Sequence, residues 1–172
     1  MRLAAVMDPS TCRQALRAAG LRDAVAQGKS ELFGRTAAAL AGMGVSPDEP
    51  VHAGFVPGRI EVLGKHTDYA GGHTLVAAVE QGFCVVAHGR PDAAVRVGAA
   101  ATGEQVEFAL DPALEPRHGH WSNYPMTVAR RLARNFSGAR RGADIAFVSD
   151  LPAASGMSSS SAMMVGTYLA LA

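Results

Sequence analysis

The spacing of apolar residues divides the chain into a helical segment and a segment of strands. Alanine, leucine and arginine dominate residues 11–43, and glycine and proline follow at 42–47, so we predict two helices with a break near Gly28. From Val51 the pattern changes to short runs of β-branched and aromatic residues, which predict the strands of one sheet. The runs are VHAGFV, TLVAAV, GFCVVAHG, AVRVGA, QVEFAL and ADIAFVSD.

Two further helices are predicted in the second half of the chain. WSNYPMTVARRLARNF carries apolar residues from Met126 to Phe136 with arginines between them, which is typical of an amphipathic helix. The second helix starts at Ser158 and stays apolar to Ala172, without a residue that closes a helix. Because such an apolar end is normally covered, we expect the 172 residues to be the front part of a longer protein.

Composition narrows the class of protein. A chain of 172 residues that is 48% hydrophobic can bury one sizeable core. Its formal charge of +1, with arginines spread along the chain, argues against a nucleic-acid partner. Cys12 and Cys84 form no CxxC pair, which disfavours a disulfide framework or a zinc site. No segment has the apolar length of a membrane span, so we expect a cytoplasmic protein without a membrane partner.

The segment SDLPAASGMSSSSAMM, residues 149–164, has the pattern of a phosphate-binding loop. A strand leads into a loop that opens into a serine-rich first helical turn, which presents unpaired N–H groups and the positive end of the helix dipole. Gly156 allows close approach of a ligand, and serine hydroxyls can bind phosphate oxygens or magnesium. There is no GxxxxGK[ST] motif, so this is not a Walker A loop. Two plainer interpretations stay open: serines that only cap the helix, and a flexible linker.

The segment GRIEVLGKHTDYAGG, residues 58–72, places many charges on a loop shaped by glycine. Asp68 is suited to accept hydrogen bonds from the hydroxyls of a polyol, His66 to donate one, and Arg59 to neutralise a phosphoryl group. Tyr69 offers an apolar face with a polar tip. A surface turn whose charges pair among themselves explains the pattern equally well. A metal site that uses His66, Asp68 and His73 is a weaker interpretation, because no helical spacing holds two of these ligands on one metal ion.

Together, PGRIEVLGKHTDYAGG and LPAASGMSSSSA resemble the first and second signature motifs of the GHMP kinase superfamily, and the first resembles the galactokinase signature. The resemblance extends from about Pro57 to Ala172, and WSNY at 121–124 is similar to a stretch that begins the long helix between the motifs in galactokinases. It implies an α+β fold similar to the second domain of ribosomal protein S5, including a left-handed βαβ crossover. We therefore expect a helical lead-in at 1–50 and a GHMP kinase N-terminal ATP-binding domain at 51–172, truncated before the C-terminal domain.

The resemblance implies a sugar-1-kinase that transfers the γ-phosphoryl of ATP to the anomeric hydroxyl of galactose or a related sugar, with Mg²⁺, as a monomer when complete. Arg59 would lie beside the transferred phosphoryl group and orient a catalytic aspartate. That aspartate lies beyond the end of this chain, so we expect the 172 residues alone to be inactive. The other implied contacts are Glu61, Lys65, His66, Asp68 and Tyr69 to the sugar, Trp121 and Tyr124 to adenine, Pro152, Ser155, Gly156, Met157, Ser158, Ser159, Ser160 and Ser161 to the triphosphate, and Ser160 to magnesium.

Three positions depart from the galactokinase pattern. Glu61 and Ala70 stand where asparagine is common, and Lys65 stands where a glutamate usually receives the C6 hydroxyl of the sugar. The reversed charge indicates either a uronic acid substrate or a compensating swap in which Glu61 and Lys65 pair, and we favour the swap.

Other functions stay open. A galactokinase-like protein can also be a non-catalytic sensor of ATP and sugar, or a degenerate paralogue. The HTDY segment argues against mevalonate or homoserine as the acceptor, because it is the sugar-side signature. The near-neutral charge and the phosphate loop disfavour an S5-like domain that binds RNA.

Overall fold

A five-stranded sheet with helices on both faces forms the core of the protein. The structure is a computed structural model that describes residues 1–136, 138, 141–152 and 155–172, with the side chain of Asp68 excepted. The strands are β1 (His52–Leu63), β2 (Leu75–Gly89), β3 (Ala94–Ala99), β4 (Gln105–Ala109) and β5 (Ala143–Ser149), and the helices are α1 (Leu3–Met7), α2 (Pro9–Ala18), α3 (Asp23–Gly42), α4 (Asn123–Asn135) and α5 (Ser159–Leu171).

The sheet has the strand order β1-β2-β5-β3-β4. The pairs β1–β2, β2–β5 and β3–β4 are antiparallel, whereas β3 and β5 are parallel. The parallel pair is connected through β4 and α4, which confirms a mixed α+β fold. The left hand expected for the crossover stays a prediction.

The two faces of the sheet bury separate apolar clusters. Helices α1–α3 cover Cys84, Val86, Ala146 and Val148 on one face. Helices α4 and α5 cover the residues that alternate with these, such as Val85 and Ile145, on the other. Because residues 82–87 of β2 and most of β5 are covered on both sides, these stretches read as continuous apolar runs in the sequence.

The lead-in segment contains three helices, and the break predicted near Gly28 is wrong. Helix α3 runs through Gly28 without interruption, and the chain instead turns at Gly20, whose φ is +97°. A glycine inside a helix costs about 1 kcal/mol relative to alanine. Burial of the apolar side of α3 against β2 and β5 outweighs this cost, through Ala26, Phe33, Ala37 and Leu40.

Strand β1 continues beyond the segment predicted for it, and the two predicted runs TLVAAV and GFCVVAHG form the single strand β2. Residues 58–63, expected in a loop, extend β1, because Arg59, Ile60 and Glu61 keep pairing with β2. The two strands form a hairpin arm, defined as residues 59–63 and 75–78 with the turn that joins them. The large apolar side chains of its strands are exposed: Ile60, Val62, Leu63, Leu75 and Val76. The arm therefore projects beyond the packed part of the sheet.

Within the described part of the chain, no helix combines the length and the apolar character needed to cross a bilayer.

A buried carboxylate stabilises the end of the sheet opposite the arm. Asp144 of β5 accepts hydrogen bonds from Arg96 at 2.6 and 2.7 Å and from Arg90 at 3.1 Å. Burial disfavours the charged carboxylate, but the two arginines outweigh burial and hold the pKa of Asp144 below its usual range. The charged form is therefore more favourable in the folded state than in the unfolded chain.

We expect Asp144→Asn to lower the free energy of unfolding at pH 7 by about 2–3 kcal/mol, since two guanidinium groups lose their shared partner. The contribution is present above the unfolded pKa of about 3.9 and is lost as the pH falls through the folded value, so the difference from the unmodified protein should shrink in acid. Urea unfolding across pH measures this. Asp48→Asn, at an exposed aspartate, is the control, and equal stability of Asp144→Asn at pH 7 would contradict the prediction.

Candidate functional site

The turn at the tip of the hairpin arm is shaped by hydrogen bonds around Thr67. Its hydroxyl lies 2.8 Å from the carbonyl oxygen of Gly64 and 3.0 Å from that of His73. The N–H of Gly72 donates to the carbonyl of Thr67 at 2.8 Å, around a 3₁₀ turn at Thr67–Ala70. Gly64 has φ +84°, and an added Cβ would lie 2.4 Å from the carbonyl oxygen of His73, so the turn requires glycine here.

Two aromatic rings face outward from this turn. His66 has φ +63°, an uncommon conformation for a residue with a side chain, and such conformations cluster at functional sites. Its imidazole stacks on the ring of Tyr69, with centroids 5.7 Å apart and planes inclined by 11°. Tyr69 is 84% exposed, so the stacked pair is open to a ligand. Asp68 lies between them in sequence, and its side chain is outside the described part of the structure.

The charges of the arm do not pair as the swap hypothesis predicts. Nη2 of Arg59 lies 3.5 Å from Oε2 of Glu61, whereas among the described side chains no ion pair joins Glu61 to Lys65. The predicted pairing of Glu61 with Lys65 is therefore wrong. Arg59 and Glu61 are two positions apart on one strand and share a face, whereas Lys65 follows the turn at Gly64. The Arg59–Glu61 contact is long and partly exposed, so it contributes little stability.

The serine loop, defined as residues 150–161, presents backbone N–H groups at the start of α5. Ser158 has φ +57° and makes no side-chain capping hydrogen bond, and the N–H of Ala162 donates to its carbonyl at 3.0 Å. The N–H groups of residues 159–161 therefore have no acceptor within α5. In the described part of the chain the serines do not cap the helix, and the segment is not a linker, because residues 159–161 are already helical.

Local contacts shape the described residues of the loop that precede Ser158. The hydroxyl of Ser155 donates to the carbonyl of Pro152 at 2.8 Å, and Gly156 has φ +71°. Ser160 is half-buried beside the exposed Ser159. Among the described residues no group of three or more histidine, cysteine, aspartate or glutamate side chains could hold a metal ion. A magnesium ion here would depend on a hydroxyl and on phosphate oxygens.

The hairpin arm and the serine loop are in direct contact. The N–H of Arg59 donates to the carbonyl of Met157 at 3.1 Å. A Cβ on Gly58 would lie 2.5 Å from Cδ2 of Leu151 and 3.0 Å from the carbonyl oxygen of Met157, so only glycine allows this approach without displacing the loop. The two motifs, about a hundred residues apart in the sequence, are thus adjacent at the base of the arm.

Sequence reasoning missed two residues at the entrance of the loop. Nζ of Lys29, on α3, lies 2.5 Å from Oδ2 of Asp150, the residue that follows β5. Lys29 gives no sequence signal, because its position in a helix says nothing about a partner 121 residues away. Asp150 had a weak sequence signal, because it lies near the start of the quoted loop segment 149–164.

The two residues predicted to line the adenine pocket differ in their surroundings. Nε1 of Trp121 donates to Glu104 at 3.0 Å, and the indole packs edge-on against Phe147 of β5, with centroids 5.5 Å apart. Tyr124, in the first turn of α4, is 41% exposed. These contacts place Trp121 on the face of the sheet that α5 covers, and the adenine contact stays a prediction.

Two family descriptions match the chain at the two motifs. "Galactokinase galactose-binding signature" matches residues 43–88, and "GHMP kinases N terminal domain" matches residues 123–172. The galactokinase of Actinobacillus pleuropneumoniae is 38% identical over 111 residues, which cover 64% of this chain and 29% of that enzyme. The galactokinase of Enterococcus faecalis is 35% identical over 117 residues, which cover 66% of this chain and 30% of that enzyme. The chain thus spans less than a third of the length of these curated relatives.

Solved structures agree with these matches. Lactococcus lactis galactokinase complexed with galactose superposes with a TM-score of 0.62 and 28% identity, covering 89% of this chain and 35% of that one. Methanococcus jannaschii mevalonate kinase shares the fold, with 15% identity and a TM-score of 0.58. The superposition covers 72% of this chain and 39% of the mevalonate kinase chain. With both signature motifs matched and in contact in the structure, the chain belongs to the GHMP kinase superfamily and corresponds to the N-terminal portion of its galactokinase-like members.

Proposed function

We propose that the protein is an ATP-dependent sugar-1-kinase that transfers the γ-phosphoryl of ATP to the anomeric hydroxyl of galactose or a related sugar. The observation that carries the proposal is the hydrogen bond from the N–H of Arg59 to the carbonyl of Met157, because it joins the hairpin arm to the serine loop. A kinase must hold acceptor and phosphoryl donor side by side. The galactokinase relatives, one of them complexed with galactose, support the same assignment.

In this proposal the serine loop binds the triphosphate. The N–H groups of residues 159–161, which have no acceptor within α5, and the positive end of this helix attract phosphate oxygens, and the hydroxyls of residues 158–161 add donors. Gly156 and Met157 shape the loop, and Ser155 bonded to Pro152 stiffens it. Magnesium would be held by the Ser160 hydroxyl and the phosphates, where it neutralises charge on the transferred group. Residues 51–172 then form the N-terminal ATP-binding domain.

The hairpin arm would bind the sugar. His66, Asp68 and Tyr69 lie at its tip, and their side chains suit the hydroxyls and the apolar face of a pyranose. Arg59 lies where the arm meets the loop and would stabilise charge on the phosphoryl group during transfer. Trp121 and Tyr124 are proposed for the adenine side.

The test is ADP release by the complete reading-frame product with ATP and magnesium, across galactose, other neutral hexoses and uronic acids. We expect turnover of one sugar, dependent on magnesium, and no turnover by the 172 residues alone. A product that binds ATP but phosphorylates none of these sugars would contradict the kinase and favour a non-catalytic sensor.

A uronic acid is the second candidate acceptor, because Glu61 pairs with Arg59 and not with Lys65. The Lys65 ammonium, exposed beside His66, suits a sugar carboxylate better than a neutral hydroxymethyl group. In this candidate Lys65 selects the substrate at C6.

If Lys65 binds a carboxylate, Lys65→Glu should shift the ratio of kcat/KM from the uronic acid toward the neutral hexose by about 10- to 100-fold, since a charge-assisted contact becomes repulsive. Parallel kinetics with galactose and galacturonate measure the ratio. Arg35→Glu, an exposed charge reversal on α3, is the control. An unchanged ratio would leave galactose as the proposed acceptor.

A further inference from the structure

The entrance to the serine loop is held to α3 by an ion pair between a buried lysine and an exposed aspartate. The side chain of Lys29 is 4% exposed, its Nζ lies 2.5 Å from Oδ2 of Asp150, and it also lies 4.6 Å from the ring centroid of Phe55. A buried ammonium is stable only when a partner stays in place, so the contact fixes the distance between α3 and Asp150.

Asp150 is also held by β2. Its Oδ1 accepts the N–H of Gly82 at 2.8 Å, and its own N–H faces the carbonyl of Gly82 at 3.3 Å. These bonds extend the β2–β5 ladder by one residue beyond the pair Phe83 and Ser149. Asp150 is therefore a junction of α3, β2 and the start of the loop.

Among the described residues of the serine loop, Asp150, Leu151 and Met157 contact the rest of the protein. Asp150 fixes the start, and the bond from Arg59 to the carbonyl of Met157 fixes the stretch just before α5. The bond between Ser155 and Pro152 lies inside the loop and does not tie it to the rest of the protein. A shift at Asp150 would therefore reorient the loop that leads to the free N–H groups of α5.

Lys29 acts through Asp150 and does not contact the phosphates. Helix α3 covers one face of the sheet and α5 covers the other. With its side chain 4% exposed and its ammonium paired, Lys29 offers no surface to a phosphate.

We propose that Lys29 is a positioning residue for nucleotide binding: its ion pair with Asp150 sets the orientation of the serine loop. The inference rests on the proposed binding of ATP by this loop and is independent of which sugar is the acceptor. Helix α3 would then influence nucleotide binding through Asp150, without contacting the nucleotide itself.

The test compares affinity with stability in the complete reading-frame product. Asp150→Asn alone leaves the buried ammonium of Lys29 without its charged partner and is expected to destabilise the protein, whereas the double variant Lys29→Met, Asp150→Asn removes both charges and keeps an acceptor for Gly82. Calorimetric titration with Mg-ATP gives the dissociation constant, and thermal unfolding gives the midpoint.

If Lys29 positions the loop, the double variant should recover the midpoint yet bind Mg-ATP about tenfold more weakly, because the loop has lost its tie to α3. Lys29→Arg, which keeps the cation, should retain most of the affinity. Arg13→Gln, which removes an exposed partner of Asp23, is the matched control for loss of an ion pair on α3.

A folded double variant with unchanged affinity for Mg-ATP would overturn the inference and reduce the pair to a structural role, with the proposed function intact. Failure of the unmodified protein to bind Mg-ATP would overturn the proposed function and the inference with it. The two failures are therefore distinguishable in one set of titrations.

Discussion

Replacing Arg59 with alanine should lower kcat for sugar phosphorylation by about a thousandfold and leave the dissociation constant of Mg-ATP nearly unchanged, since an arginine on the transferring phosphoryl group acts mainly in the transition state. The separation of the two effects follows from the geometry. The contact of residue 59 with the serine loop is made by its backbone N–H, which alanine retains. The guanidinium is lost, but the loop keeps its orientation.

Steady-state kinetics and Mg-ATP titration of the complete reading-frame product measure the two quantities. Arg117→Ala, at an exposed arginine away from the arm, should change neither. Arg59→Lys should recover only part of the rate, because an ammonium lacks the planar fork of the guanidinium. A parallel loss of rate and nucleotide affinity in Arg59→Ala would mean that the side chain holds the loop, which would contradict the role proposed for it.

Elements with a strong local pattern could be predicted from the sequence. The amphipathic spacing of α4, the β-branched runs of β3 and β5 and the helix that starts at the serines are all confirmed. Each of these elements is determined by residues that lie close together in the sequence. The two motifs were found for the same reason, because a loop shaped by glycine and serine carries its chemistry in neighbouring residues.

Contacts between distant segments could not be predicted. From the sequence, Gly28 predicts a helix break, but α3 continues through it because the helix packs against two strands. Residues 59–63 were predicted as a loop, but they form a strand because they pair with β2. Local propensity is small beside the burial and pairing that the fold supplies. Lys29 and Asp150 are 121 positions apart, and no sequence feature of either residue identifies the other as its partner.

Charges in the arm were the least predictable part of the site. Glu61 and Lys65 are close in sequence and opposite in sign, which favours a pair, yet the strand turns Glu61 toward Arg59. The period of two along a strand decides which charges meet, and this period was hidden while the segment was interpreted as a loop. The correction changes the chemistry, because it removes the partner that would have neutralised Lys65.

Gly58→Ala should weaken Mg-ATP binding by about 10- to 100-fold, because the serine loop must move away from the arm to admit a Cβ. The added atom would lie 3.0 Å from the carbonyl oxygen of Met157 and 3.0 Å from Cγ2 of Val79, besides the 2.5 Å contact with Leu151. A moved loop also loses the bond from Arg59, so the rate of phosphoryl transfer should fall with the affinity.

Gly54→Ala is the matched control, since Gly54 lies on the same strand and an added Cβ there meets no atom within 4 Å.

The double variant Gly58→Ala, Leu151→Ala separates the contact with the Leu151 side chain from the contact with the Met157 carbonyl. The Leu151 side chain can rotate or be removed, whereas the Met157 carbonyl belongs to the loop itself. If the loss of affinity comes from the displaced backbone, it should persist in the double variant. Full recovery would place the strain in the Leu151 side chain alone, and unchanged affinity in Gly58→Ala would show that nucleotide binding does not need the close contact between arm and loop.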